Sequence, residues 1–127
     1  SIIMDLTKEW DNVQSEASGS HLVTGVTIVN NDFLKEHEDL VDTFLQEHEA
    51  SIQFTSEDPD TAAELIANAE IVAKAPIARK ALPYCNITFL SGTEMKEALS
   101  GYLQALYDQN PASVGGELPD DGFYYVK

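Results

Sequence analysis

One segment of the sequence, residues 22–29, constrains the fold more than any other. Its residues are Leu-Val-Thr-Gly-Val-Thr-Ile-Val, a run dense in β-branched side chains. Nearly continuous apolarity of this kind is typical of a strand that is covered on both faces, as in an α/β protein. The sequence therefore predicts a core β-strand here. It also predicts an α/β fold in which the partner strands lie outside this chain or in a second copy.

Other apolar segments predict minor strands and a series of helices. Residues 2–6 favour a strand, and residues 87–90 suit either a strand or extended chain. Side chains that cap helices, and prolines suited to the first helical turn, mark the helix starts. These are Asp5 or Thr7 before a short helix to Val13, Asn30 to Asp32 before a long helix broken near His37, Asp58 before Pro59, Ala75 with Pro76, and a capping box of Ser91 with Glu94.

Length and charge limit the class of protein. The chain has 127 residues, 43% of them hydrophobic, which is enough for one domain with a buried core. We expect this single domain to span residues 1–127. The net charge is −15 with only seven basic residues, which argues against a nucleic-acid partner, since phosphate contacts depend on Lys and Arg. No apolar run approaches the roughly 20 residues that a spanning helix needs, so no direct membrane insertion is expected.

The C-terminal residues 110–125 are rich in turn-forming residues and end in Phe123-Tyr124-Tyr125. Turn formers prevent a helix from continuing, whereas aromatic side chains favour burial over a solvated tail. The sequence therefore predicts a packed, irregular C-terminal extension after a last amphipathic helix.

Four segments together resemble one protein family. They are Asp5-Leu-Thr-Lys-Glu-Trp10, residues 22–29 followed by Asn31-Asp-Phe-Leu34, Pro83-Tyr-Cys-Asn-Ile87, and the tail Ser113-Val-Gly-Gly-Glu-Leu-Pro-Asp-Asp-Gly-Phe-Tyr-Tyr125. The set resembles the C-terminal part of bacterial solute-binding proteins of ABC importers. The branch concerned includes nitrate, sulfonate, taurine and thiamine-precursor receptors.

The resemblance implies the helix-rich C-terminal portion of a type II periplasmic binding protein, a two-lobed α/β sandwich that closes around its solute. It implies a small organic solute, an ABC permease as partner, and a location outside the cytoplasm, in the periplasm or lipid-anchored as a lipoprotein. The signal segment would lie outside this chain, which we expect to be a fragment that binds poorly alone. Exposed sheet edges would also favour a homodimer of the fragment.

Four residues are candidates for ligand binding. Gly25, beside the hydroxyl of Thr24, interrupts a β-branched strand, which marks close approach of a solute or a strand bulge. Asn86, between two apolar stretches, either hydrogen-bonds in the cleft or caps a turn. Trp10 either stacks on a ligand or packs in the core.

Histidines and the single cysteine offer no catalytic or metal-binding pattern. His21, His37 and His48 lack converging ligands at metal-site spacing, so they are expected at or near the surface. Cys85 has no local nucleophile signature and is expected as a small buried hydrophobe. The sequence thus predicts neither an enzyme nor a cofactor.

Two other functions fit parts of the sequence. An acidic protein-interaction domain would use the negative charge to bind a basic partner. An enzyme similar to pyrimidine-precursor synthases shares the fold family that the resemblance implies. Neither the cysteine nor the histidines supply a recognisable nucleophile and base for it.

Overall fold

The computed structural model of the chain describes residues 3–14 and 20–127. Helices account for 66% of them, and no β-strand occurs within these ranges. The α-helices are α1 (Leu6–Val13), α2 (Asn31–Glu36), α3 (Glu38–Glu57), α4 (Pro59–Asn68), α5 (Ala75–Ala81) and α6 (Gly92–Gln109). Short 3-10 turns lie at Leu82–Tyr84, Pro111–Val114 and Asp121–Phe123.

The predicted α/β sandwich is wrong, because the described residues contain no strand with which the expected core strand could pair. Residues 20–30 contain no helix, turn or bend, and they form no strand ladder with any described residue. Residues 24–28 are all exposed, Val26 and Ile28 by 60% and 85%, so the run is not covered on either face. A strand is stable only when neighbours satisfy its backbone groups and bury its side chains.

The minor strands are also absent from the described residues. Residues 3–5 have no regular structure and lead directly into α1, while Ser1 and Ile2 lie outside the described residues. Residues 86–90 likewise have no regular structure, which leaves only the extended-chain alternative for residues 87–90. Local β propensity depends on packing against neighbouring strands, so by itself it does not form a strand.

Most predicted helix starts are confirmed by their caps. Asp5 Oδ1 accepts hydrogen bonds from the backbone N–H groups of Thr7 and Lys8, at 3.2 and 3.4 Å. Asn30 Oδ1 accepts from Asp32 N–H at 2.9 Å, and Asp58 Oδ1 accepts from Thr61 N–H at 3.1 Å. These bonds satisfy N–H groups that a helix cannot satisfy internally.

Two further boundaries test the sequence patterns. The predicted break at His37 is confirmed, since its backbone leaves helical geometry at φ −139° and ψ 43°, between α2 and α3. Ser91 does stand at the N-cap of α6, but its side chain makes no capping hydrogen bond. The position of that helix start was therefore right and the predicted capping box was wrong.

The chain divides into two compact units, one of Ser1–Thr27 with Leu90–Lys127 and one of Ile28–Phe89. In the Ile28–Phe89 unit α4 packs on α5, and Ala63 and Ala78 are 1% and 2% exposed. Asp60 Oδ1 of α4 accepts a hydrogen bond from Arg79 Nε of α5 at 2.6 Å. The prediction of a single domain stays a prediction, because compact units of this kind also occur within single domains.

Both cores are small. The buried apolar residues of the described chain are mostly alanines, with Val41 in the Ile28–Phe89 unit and Tyr124 in the other. Alanine side chains bury little apolar area, and area is what stabilises a core. Many large apolar side chains consequently stay more than 40% exposed, among them Ile3, Leu6, Val13, Val26, Ile28, Phe33, Leu40, Phe44, Leu65, Ile77, Ile87 and Phe123.

Candidate functional site

A groove of about 390 Å³ lies in the unit that contains the C-terminal residues. Its lining is mostly apolar, with two carboxylates. The lining residues are Leu103, Val114, Glu117, Leu118, Pro119, Asp120 and Phe123. Its volume falls in the range of roughly 300 to 1,000 Å³ that is usual for small-molecule sites.

A tight turn after α6 reverses the chain, and the residues of this turn form one wall of the groove. Asn110 ends the helix, and its Oδ1 accepts a hydrogen bond from Ala112 N–H at 3.2 Å. Gly115 and Gly116 then adopt φ values of +86° and +96°, a region that favours glycine. Gly116 N–H donates to the carbonyl of Pro111 at 2.9 Å, which closes the turn. The residues that follow are thereby placed against α6, which contributes Leu103 to the groove.

A second set of contacts lies at the end of the groove formed by Asp120 and Phe123. Lys96 Nζ of α6 donates to Asp121 Oδ1 at 2.7 Å and lies 5.8 Å from the ring centre of Tyr124. Tyr124 is buried, and Phe123 meets its ring edge-on with centroids 5.2 Å apart. The C-terminal extension is irregular, as predicted, but only partly packed, since Tyr124 is buried whereas Phe123 is 59% exposed.

Electrostatics make the groove negative. Glu117 and Asp120 line it, and neither forms an ion pair with a basic group of the described residues. Beside them, the hydrogen bond from Lys96, together with its charge, holds the pKa of Asp121 below its ordinary value. Burial raises the pKa of Tyr124, an effect that Lys96 opposes and Asp121 reinforces. The groove thus combines an apolar lining with unneutralised carboxylates.

Trp10, one of the four predicted ligand-binding residues, lies in the same unit but does not line the groove. Its indole Nε1 donates to Ser20 Oγ at 3.1 Å, and its ring centroid lies 5.1 Å from that of Tyr102. These contacts fit the packing alternative for Trp10. Its ligand-binding role stays a prediction.

Thr24, Gly25 and Asn86 also lie outside the groove lining. Thr24 and Gly25 are exposed, and no atom lies within 4 Å of where a Cβ on Gly25 would stand. Asn86 belongs to the Ile28–Phe89 unit, is exposed and has a φ of +48°, a conformation that asparagine tolerates in turns. Their ligand-binding roles also stay predictions.

Sequence reasoning missed the residues that line the groove. It assigned Val114, Leu118 and Phe123 only to a packed tail. The available signal was an alternation of turn formers with apolar residues directly after a helix whose apolar stripe includes Leu103. Such a tail folds back on the stripe, and the imperfect fit between the two leaves the groove.

Histidines and the cysteine make no metal site. No group of three or more His, Cys, Asp or Glu residues in the described chain could hold a metal ion. His21 is exposed and His37 and His48 are half-buried, as predicted. Cys85 is exposed, so its predicted burial is wrong. The 3-10 turn at Pro83 ends the preceding helix and leaves the thiol at the surface, where it donates to the carbonyl of Ala81 at 3.4 Å.

Residues 3–14 and 20–127 define a small acidic protein of helices and turns with an open, mostly apolar groove. Among their helices, none is both long enough and apolar enough to span a membrane. No family model, curated protein or solved structure matches this chain. The predicted relation to importer receptors therefore stays a prediction.

Proposed function

We propose that this chain belongs to a non-catalytic, extracytoplasmic solute-binding component of an ABC importer and contacts a small organic solute. The single observation that carries the proposal is the groove of about 390 Å³. Six of its seven lining residues come from residues 113–125, one of the segments that carry the motif resemblance. The two-lobed α/β architecture is not part of the proposal, because the described residues are helical.

The charge of the groove narrows the class of solute. Glu117 and Asp120 would repel an anion such as nitrate or a sulfonate and would attract a protonated amine or a basic nitrogen heterocycle. Glu117 and Asp120 are both exposed, and ion pairs at exposed sites contribute only roughly 0.2–1 kcal/mol, so this charge sets a preference between such ligands rather than a large difference in affinity. We therefore favour a basic nitrogen heterocycle, with its ring against Phe123 and Leu118.

The groove by itself should bind weakly. Phe123 is 59% exposed, so a ligand in the groove keeps much of its own surface in water. Tight small-molecule sites enclose roughly 70–90% of the ligand. We expect a Kd of roughly 1 mM, equivalent to about −4 kcal/mol, for the isolated chain.

An NMR titration of the isotope-labelled chain tests the proposal. The probes are a protonated aminopyrimidine, taurine and nitrate. We expect the aminopyrimidine to shift the amide signals of Leu103, Val114 and Phe123, and the two anions to leave them unchanged. Phe123→Ala should abolish the shifts, whereas Phe33→Ala, which removes another exposed aromatic in the other unit, should not. Absence of saturable shifts in the groove would contradict the assignment of the groove.

The transport role needs the product of the complete reading frame. Deleting the gene should lower uptake of the solute that the titration identifies, and the product should co-purify with an ABC permease. Unchanged uptake of every solute that binds would contradict the importer role while leaving the groove intact. The two parts of the proposal can therefore fail separately.

A second candidate function, an acidic protein-interaction domain, is supported by the exposed face of α3. Leu40 and Phe44 are 53% and 47% exposed, one turn apart, on a helix whose first turn carries Glu38 and Asp39. An apolar stripe beside carboxylates suits a basic amphipathic partner. Binding of a Lys- and Leu-rich helical peptide that weakens steeply with added salt and is lost in Phe44→Ala would support this function over solute binding.

A further inference from the structure

Residues 22–29 have no regular secondary structure. Six of these eight residues are β-branched, yet the segment from residue 20 to residue 30 contains no helix, turn, bend or strand. Val26 and Ile28, at 60% and 85% exposure, leave most of their side chains in water. Local β propensity and the observed environment therefore disagree in this segment.

The backbone of the segment is not paired with other backbone groups of the described residues. None of its N–H or C=O groups makes a backbone hydrogen bond with another described residue. Near its middle, Gly25 has no atom within 4 Å of the place where a Cβ would stand. A row of accessible N–H and C=O groups on a β-prone chain is the pattern to which an added strand binds.

Charge points to a second copy as the added strand. Residues 17–31 contain no Asp, Glu, Lys or Arg, and no other stretch of this chain without them is as long. The net charge of −15 opposes close approach of two copies at most other surfaces. A basic partner, by contrast, would be drawn to the carboxylates of the helices and would gain nothing from this neutral segment.

Self-pairing also matches the side chains of the segment. Cross-strand pairs of β-branched residues stabilise a sheet by roughly 0.2–1 kcal/mol each, and two copies bring valine, threonine and isoleucine to both strands. Pairing would cover Val26 and Ile28 and satisfy backbone groups that otherwise depend on water. We propose that residues 22–29 form an interface between two copies of this chain, in which the segments pair with each other as β-strands.

Hydrogen exchange and sedimentation equilibrium on the full chain test this proposal. As protein concentration rises, we expect the mass to double and the amides of residues 22–29 to become protected together. Raising the ionic strength from about 0.01 M to 0.15 M should strengthen the dimer, because the Debye length falls from about 30 to 8 Å and screens the repulsion. A complex with a basic partner would weaken under the same change.

A proline variant and a matched control test whether residues 22–29 form the dimer interface. Val26→Pro removes a backbone donor from the centre of the segment and should abolish both the dimer and the protection. Thr88→Pro, in another exposed stretch without secondary structure, should leave both unchanged. Circular dichroism should show that both variants keep their helices. A dimer that persists in Val26→Pro, a chain that stays monomeric near 1 mM, or protection that appears in the monomer would overturn the proposal. None of these outcomes depends on solute binding.

Discussion

The ammonium group of Lys96 lies 2.7 Å from Oδ1 of Asp121, which ties α6 to the last 3-10 turn of the chain. The same Lys96 lies over the ring of Tyr124, the most buried aromatic side chain of the described residues. Lys96 therefore contacts both the last 3-10 turn and Tyr124, the buried aromatic residue of the C-terminal segment.

Asp121→Asn should loosen the C-terminal segment in a pH-dependent way. The pKa of Asp121 in the folded chain lies below its ordinary value of 3.8, so the pair stabilises the fold above that pH. This contribution is lost as the pH falls from about 3.8 through the lower pKa of the folded state. We expect the substitution to lower the unfolding temperature at pH 7 and to have no effect near pH 2. Glu117→Gln, which removes a carboxylate without an ion pair, should show no such difference.

Tyr102→Ala should expose the single tryptophan. Trp10 packs against Tyr102 with ring centroids 5.1 Å apart, a pair that contributes about 0.5–1.5 kcal/mol beyond its buried area. Because the chain has one tryptophan, its fluorescence reports the surroundings of Trp10 alone. The emission maximum should move to longer wavelength in Tyr102→Ala and stay in place in Tyr107→Ala, on the same helix. Identical spectra in all three proteins would show that Trp10 is already solvated.

Ala63→Leu should destabilise the contact between α4 and α5. Ala63 is 1% exposed, so the larger side chain has no space without displacement of its neighbours. Overpacking of this kind costs about 1–3 kcal/mol. Urea unfolding should show the loss, and Ala50→Leu, at an exposed position of α3, should change the free energy of unfolding by less than about 0.5 kcal/mol. Equal effects of the two variants would contradict the close packing of α4 on α5.

Gly115→Ala should strain the turn that forms the groove wall. Gly115 has a φ of +86°, and an added Cβ would meet no atom within 4 Å, so the cost comes from the backbone alone. That cost is roughly 1–2 kcal/mol for an L-residue in left-handed geometry. Gly25→Ala is the matched control, since Gly25 has equal space and no positive φ. It should be neutral or slightly stabilising, because alanine restricts the unfolded chain. Thermal unfolding of the two variants beside the parent chain measures the difference, and equal unfolding temperatures would contradict the strain at Gly115.

Helix starts were predictable because their determinants are local. Asp5, Asn30 and Asp58 each bond to N–H groups two or three residues ahead, so the sequence contains both partners of every cap. The same locality explains why the break at His37 was predicted. Ser91 shows the limit, since its position was right but its side chain makes no capping bond.

The groove and the fold class were not predictable because they depend on distant partners. Leu103 and Phe123 line one groove although about twenty residues separate them, and the turn at Gly115 and the pair of Lys96 with Asp121 help to bring their segments together. Residues 22–29 carry a clear β preference, yet the described chain supplies no second strand to pair with them.

By itself, the sequence determined most helix starts, the irregular C-terminal segment and the strongly negative charge. These follow from short-range hydrogen bonding, turn propensity and composition, all of which act within a few residues. Tertiary structure alone decided which apolar side chains are buried, that Cys85 is exposed, and that residues 22–29 have no paired strand within the described chain. Burial and strand pairing are relations between segments far apart in the chain, and no local preference fixes them.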